Sequence, residues 1–195
     1  MDKGIFNDRE KAMEAKYFRE QDAKLLEKLR KGAKLDEIGA ALAEKLKVDD
    51  PELLTRARDL GINPDNVEAF FAMPLVQVAW AEDKVTKREA ELVLRIARDR
   101  GIEESSLSYA QLVEWLKVRP DEALFDVALE AMKAGFAVLP PKERDERIER
   151  LIDNCHKVAE ASGNEFARQL GLGDGVSNVE ESLLDRIHNR LRGAA

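Results

Sequence analysis

Three acidic side chains, Glu82, Asp83 and Glu89, lie in the stretch WAEDKVTKREAELV, residues 80–93. Carboxylate oxygens are the ligands that Ca²⁺ and Mg²⁺ prefer, so these side chains could share a hydrated divalent cation with help from Asp174. An EF-hand would instead require a loop of about 12 residues with a central glycine. The segment EDKVTKRE contains no glycine, so any cation site here is not an EF-hand.

The same stretch also has a purely structural interpretation. Thr86 and Glu89 form a T-x-x-E pattern, and Ser177 and Glu180 form the equivalent S-x-x-E pattern. In such a capping box, the hydroxyl and the carboxylate each accept a hydrogen bond from a backbone N–H group that the start of a helix leaves unpaired. Two interpretations of the acidic loop therefore remain open: a helix cap alone, or a cap that also holds a divalent cation.

The remaining reactive side chains form no catalytic set. Cys155 and His156 are neighbours that would point about 100° apart on a helix, so the imidazole cannot reach the thiol. We expect Cys155 to be buried, His156 to lie near the surface and His188 to be isolated on the last helix. The stretch GLGDG, residues 171–175, follows no predicted strand and lacks a lysine, which favours a flexible turn over a phosphate loop. The sequence therefore predicts no enzyme.

Composition and charge restrict the class of protein. A single cysteine among 195 residues excludes an internal disulfide framework and fits a cytoplasmic location. The first sixteen residues are charged throughout, unlike a secretory signal, and no apolar run approaches the roughly 20 residues that span a bilayer. Residues 61–195 carry 18 basic and 25 acidic residues, the whole net charge of −7. We therefore expect a soluble protein that binds no nucleic acid, because phosphate binding needs concentrated positive charge.

The hydrophobic pattern predicts an all-α helical bundle, since every clearly periodic segment has the helical period. The nearly uncharged segment PLVQVAWAE, which starts at Pro74, should lie in the core, and Trp80 and Trp115 should be core residues. Capping and proline signals place helix starts at Asp50–Pro51, Asn63–Pro64, Thr86, Ser108, Pro120, Pro141 and Ser177.

A long charged helix is predicted at the N-terminus, from Asn7 to about Gly32. Its apolar stripe is too sparse to be buried on its own, and consists of Met13, Tyr17, Leu25 and Leu29. This arm is expected to dock on another protein or to form a homo-oligomer with a second copy. The predicted organisation is an arm over 1–32, short connecting helices over 33–73 and a helical domain over 74–192.

An internal pseudo-repeat occupies the predicted domain. Residues 78–96 match residues 158–187 once the second copy is allowed 11 extra loop residues. Each copy is a core helix, a loop and a capped helix, and each needs the other to cover its apolar face. The matched positions are Val78–Ala79 with Val158–Ala159, Glu89 with Glu180, Leu92 with Leu183, Val93 with Leu184 and Ile96 with Ile187.

This pattern resembles the TerB-like family, named for tellurite-resistance proteins, over roughly residues 74–192. Members usually read A-D-G-x-V-[ST]-x-x-E, and the places of Ala81, Val85, Thr86 and Glu89 match. The chain departs from the pattern where Glu82 replaces the aspartate and Asp83 the glycine, and the second copy has Ser162 and Gly163 there. The resemblance implies a bundle of about seven helices whose acidic loops have been linked to metal binding.

The arm, FNDREKAMEAK, is similar to the start of the inhibitory zeta subunit of F-type ATP synthases. The zeta subunit's downstream A-R-R-N stretch is missing here. Two functional hypotheses follow. The first is a non-enzymatic TerB-like interaction module that responds to cations or stress. The second is a regulator that inhibits an enzyme such as an ATPase through the N-terminal helix.

Overall fold

A computed structural model describes residues 20, 24, 25, 27, 32, 34, 36–162 and 176–193 of the chain. The chain divides into two compact units, Met1–Ala40 and Ala41–Ala195. In the first unit, every described residue is helical, and the described residues of the predicted arm are too few to test its full extent. Asn7, Met13, Tyr17 and Leu29 lie outside the described residues.

The second unit is an all-α bundle, which confirms the predicted fold class. No strand occurs in the described parts of the chain, and none of the helices there is both long and apolar enough to cross a membrane. Its helices are α1 (41–46), α2 (Pro51–Asp59), α3 (Val67–Phe70), α4 (Met73–Ala79), α5 (Lys87–Asp99), α6 (Leu107–Lys117), α7 (Glu122–Ala137), α8 (Pro141–Ser162) and α9 (Asn178–Arg192).

Helix α4 forms the centre of this bundle. All seven of its residues are buried, and α5, α6, α7, α8 and α9 all pack against it. The segment contains no charged side chain, so its burial carries no desolvation penalty for an ion. The prediction that PLVQVAWAE lies in the core is therefore confirmed for residues 74–79, whereas Trp80 and Ala81 are half-buried and Glu82 is exposed.

The two copies of the pseudo-repeat have matching environments. The end of α4 and the end of α8 bury the equivalent pairs Val78–Ala79 and Val158–Ala159, each side chain being at most 1% exposed. Helices α5 and α9 then start with the same type of cap and both pack on α8. Most of the longer loop of the second copy, including Gly163, the GLGDG turn and Asp174, lies outside the described residues.

Two predicted helix starts are wrong by a few residues. Helix α3 begins at Val67 rather than just after Pro64, because Asn66 closes the preceding turn. Its Oδ1 accepts a hydrogen bond from the Asn63 N–H at 2.9 Å, and its Nδ2 donates to the Gly61 carbonyl at 3.0 Å. For α7, the N-cap is Asp121 rather than Pro120, and its carboxylate accepts from the Ala123 N–H at 2.8 Å.

The prediction that Ser108 caps α6 is also wrong. The N-cap is Ser106, whose hydroxyl accepts from the Tyr109 N–H at 3.1 Å. Ser108 lies inside the helix and is only 1% exposed. Its hydroxyl donates to the Asp65 carbonyl at 3.1 Å and so joins α6 to the turn before α3.

Candidate functional site

The acidic loop between α4 and α5 is a tight turn. The Asp83 N–H donates to the Trp80 carbonyl at 3.0 Å, and Asp83 has a left-handed backbone with a φ of 61°. Aspartate is one of the few residues other than glycine that adopts this conformation at moderate cost. The turn directs the chain from the core helix α4 to the cap of α5.

Arg119, which follows α6, forms an ion pair with this loop. Its guanidinium donates to the Asp83 carboxylate at 2.7 Å and to Glu122 at 3.4 Å. Sequence reasoning missed Arg119, because the ion pair joins residues 36 positions apart and no local pattern marks it. Beside it, the Trp80 indole N–H donates to the Trp115 carbonyl at 2.8 Å. Trp115 is buried, as predicted, but Trp80 is half-buried, so the prediction that it is a core residue is wrong.

Both predicted capping boxes are present. The Thr86 N–H donates to Glu89 Oε2 at 2.7 Å, and the Glu89 N–H donates to the Thr86 hydroxyl at 3.3 Å. In the second copy, the Ser177 N–H donates to Glu180 Oε2 at 2.8 Å, and the Glu180 N–H donates to the Ser177 hydroxyl at 3.4 Å. The two boxes satisfy the first backbone donors of α5 and α9 in the same way.

The carboxylates of the two capping boxes are buried, which is unusual for ionisable groups. Glu89 is 2% exposed and Glu180 is 0% exposed. Burial raises the pKa of the Glu89 carboxyl above its ordinary value, and the hydrogen bonds from Thr86 offset part of this rise. The negative charge of Glu180 also raises the pKa of Glu89, so the caps of the two repeats lie close enough for their carboxylates to repel.

The structure separates the residues predicted to bind a cation into different roles. Glu89 is buried in the cap, Asp83 is paired with Arg119, and Glu82 is exposed to solvent. Within the described ranges, no three or more His, Cys, Asp or Glu side chains are grouped so that they could hold a metal ion. Asp174 lies outside the described residues. The cap interpretation accounts for the geometry of Thr86 and Glu89.

Thr86→Ala is expected to lower the free energy of unfolding by about 1 kcal/mol, because the α5 cap loses its hydroxyl acceptor. Ser177→Ala should have a similar cost at α9, and serves as the matched variant. Urea unfolding with and without millimolar Ca²⁺ or Mg²⁺ measures both. The capping interpretation predicts equal penalties in the two conditions, whereas a penalty that appears only with the cation would make the loop a metal site.

Glu89→Gln is expected to change the pH dependence of stability. Because the pKa of Glu89 is higher in the folded state than its ordinary value of 4.5, the folded protein retains this proton longer than the unfolded chain. Stability therefore falls as the pH rises from that value through the raised pKa. Glutamine keeps an oxygen that accepts from the Thr86 N–H but cannot ionise.

The measurement is urea unfolding of wild type and Glu89→Gln between about pH 4.5 and 7.5. The stability of the variant relative to wild type should grow towards neutral pH, because only the wild type bears a buried charge there. Parallel pH profiles for the two proteins would contradict the argument.

The side chains considered for catalysis have structural environments. Cys155 is buried, as predicted, and burial raises the pKa of its thiol to about 12 despite the nearby charge of Arg100. His156 is exposed, also as predicted. His188 is not isolated, since the Arg192 guanidinium donates to its Nε2 at 2.7 Å and Glu149 lies 3.6 Å away. The prediction for His188 was wrong because Glu149 reaches it from α8.

Comparison with known proteins yields no relative of this chain. No protein-family model, curated protein or solved structure matches it.

Proposed function

We propose that the chain is a cytoplasmic, non-enzymatic helical module of the TerB-like type, which binds other proteins and acts in a stress response. The observation that carries the proposal is the backbone of Asp83. Its φ of 61° is the conformation that glycine adopts most readily, and the TerB-like pattern has glycine at this place. A left-handed residue at this place therefore supports the resemblance, although the residue is aspartate rather than glycine.

The ionisable side chains of the described core and caps are buried or hydrogen-bonded to the backbone, which favours a binding role over catalysis. A nucleophile needs a lowered pKa or an adjacent base, and the Cys155 thiol has neither. The Glu89 carboxylate is already bonded to the Thr86 N–H, so it is not placed to accept a proton from a substrate. These residues stabilise a helix start and the core of the bundle, which leaves its outer surface for contact with partners.

A second candidate, regulation of an ATPase through the N-terminal helix, is favoured by Leu25. This residue belongs to the apolar stripe predicted for the arm, and it is 56% exposed. Burial of an exposed leucine by a partner gains about 1.5–3 kcal/mol at most, so several stripe residues would have to dock together. Homo-oligomerisation through the same stripe is the alternative within this hypothesis.

The test is reciprocal affinity purification with the full-length chain as bait, followed by use of each candidate partner as bait. The matched variant replaces Leu25 and Leu29 by serine, which removes apolar surface without changing the charge. A partner recovered by both proteins supports a module whose body binds. A partner lost with the variant, together with loss of ATPase inhibition, supports regulation through the arm.

Measured oligomeric mass of wild type and variant separates self-association from binding to another protein. If no partner survives reciprocal purification and the wild type is monomeric, the proposed interaction function is wrong.

A further inference from the structure

A cleft is lined by residues of α7 and α8, by Phe71 at the end of α3 and by Arg100, the C-cap of α5. Neither capping box nor the acidic loop contributes a residue to it. Its volume is about 520 Å³, within the range of small-molecule binding sites. The apolar part of the lining consists of Phe71, Met132, Phe136 and Leu151. Met132 and Leu151 are buried, while the two phenylalanines are half-buried and so form walls that remain open to a ligand.

Three arginines, Arg100, Arg147 and Arg150, line the same cleft. Arg147 is neutralised by Glu143, to which it donates at 2.7 Å. The second acidic residue of the lining, Glu146, lies 3.9 Å from Lys142. Both carboxylates of the cleft therefore have cationic neighbours of their own.

Arg100 and Arg150 are different, because neither guanidinium has an ion pair or side-chain hydrogen bond with any described residue. Desolvation by neighbouring groups lowers the pKa of the Arg100 guanidinium, the nearby Cys155 opposes this decrease, and the positive charge of Arg150 adds to it. The two like charges therefore interact. Such repulsion is relieved by an anion between them. Both residues are exposed to solvent and line the cleft, so their guanidinium groups are accessible to a ligand.

We propose that this cleft binds an organic anion that has a carboxylate or phosphate head and an apolar body. Arg100 and Arg150 receive the head, since the planar guanidinium can donate two parallel hydrogen bonds to either group. Phe71 and Phe136 cover the apolar body. Phe71 and Arg100 also line a smaller adjoining cavity of about 230 Å³ towards Ile102, which offers room for a longer chain.

The experiment is calorimetric titration of the full-length protein with decanoate, decyl phosphate, decanol and acetate. Decanoate or decyl phosphate is expected to bind with one site, and at least about tenfold more tightly than decanol, because charged hydrogen bonds are lost with the alcohol. Acetate should bind far more weakly than decanoate, since it lacks the apolar body. The comparison of decanoate with decyl phosphate identifies the preferred head.

The test variant combines Arg100→Gln with Arg150→Gln. The control variant combines Arg95→Gln with Arg144→Gln. Each pair removes one positive charge from α5 or its C-cap and one from α8, but Arg95 and Arg144 do not line the cleft. The first pair should weaken decanoate binding by about tenfold or more, and the control pair should leave it unchanged. Thermal unfolding measures whether both double variants are folded.

Several results would overturn the proposal. These are the absence of binding by both anions, equal binding of decanoate and decanol, or equal loss of affinity in the two double variants. If the Arg100 and Arg150 variant does not fold, the comparison of decanoate with decanol on the wild-type protein still decides the outcome.

Discussion

Phe70→Ala is expected to lower the free energy of unfolding by about 3–5 kcal/mol, the range for removal of a buried phenylalanine. Phe70 is 0% exposed and belongs to α3, a helix of only four residues. So short a helix has little stability of its own, and it is held mainly by its packing on α6. A cavity at Phe70 therefore removes the largest buried side chain of α3.

Phe71→Ala provides the matched comparison, since it removes the same atoms from the next residue. Phe71 is half-buried at the wall of the cleft rather than in the core, so we expect a loss of about 1 kcal/mol. Urea unfolding of the two variants measures the difference. Equal losses would mean that α3 is not anchored by Phe70, and that the described packing of this segment is wrong.

Local signals explain why most helix boundaries could be predicted from the sequence. The hydrogen bonds of the Thr86 and Ser177 caps join residues three positions apart, so the sequence contains both partners side by side. The cap of α2 is equally local, with Asp50 accepting from the Glu52 and Leu53 N–H groups at 3.0 and 3.1 Å. Periodicity then supplies the apolar faces that the bundle buries.

Competition between nearby polar residues explains the boundaries that were missed. Ser106 and Ser108 are both good caps by residue type. What separates them is the Asp65 carbonyl, which lies 43 positions from Ser108 in the sequence and accepts a hydrogen bond from its hydroxyl. A pattern of spacing within one helix contains no information about that acceptor.

The acidic loop illustrates the same limit for a functional site. The sequence identifies Glu82, Asp83 and Glu89 as neighbours along the chain, but their burial and partners depend on distant elements. Arg119 pairs with Asp83 from beyond α6, and the charge of Glu180 reaches Glu89 from the second repeat. The cleft arginines were missed for the same reason, because Arg100 caps the end of α5 whereas Arg150 lies on α8.

Gly135→Ala is expected to destabilise the protein by about 1–3 kcal/mol, the cost of forcing an extra methyl group into a packed site. Helix propensity alone predicts the opposite sign, since alanine is favoured over glycine in a helix by about 1 kcal/mol. Packing should decide the outcome. A β-carbon at Gly135 would lie 2.9 Å from the Leu46 carbonyl oxygen, a backbone atom that cannot rotate away as a side chain would.

Gly39→Ala is the control that isolates the packing effect. Gly39 is also helical, but a β-carbon there would meet no atom within 4 Å, so its replacement should stabilise the protein or leave it unchanged. Urea unfolding of the two variants should therefore give changes of opposite sign, or a loss for Gly135→Ala alone. A gain in stability at Gly135 would mean that α7 and the end of α1 separate at low cost, and that the close approach of their backbones is not a constraint on the fold.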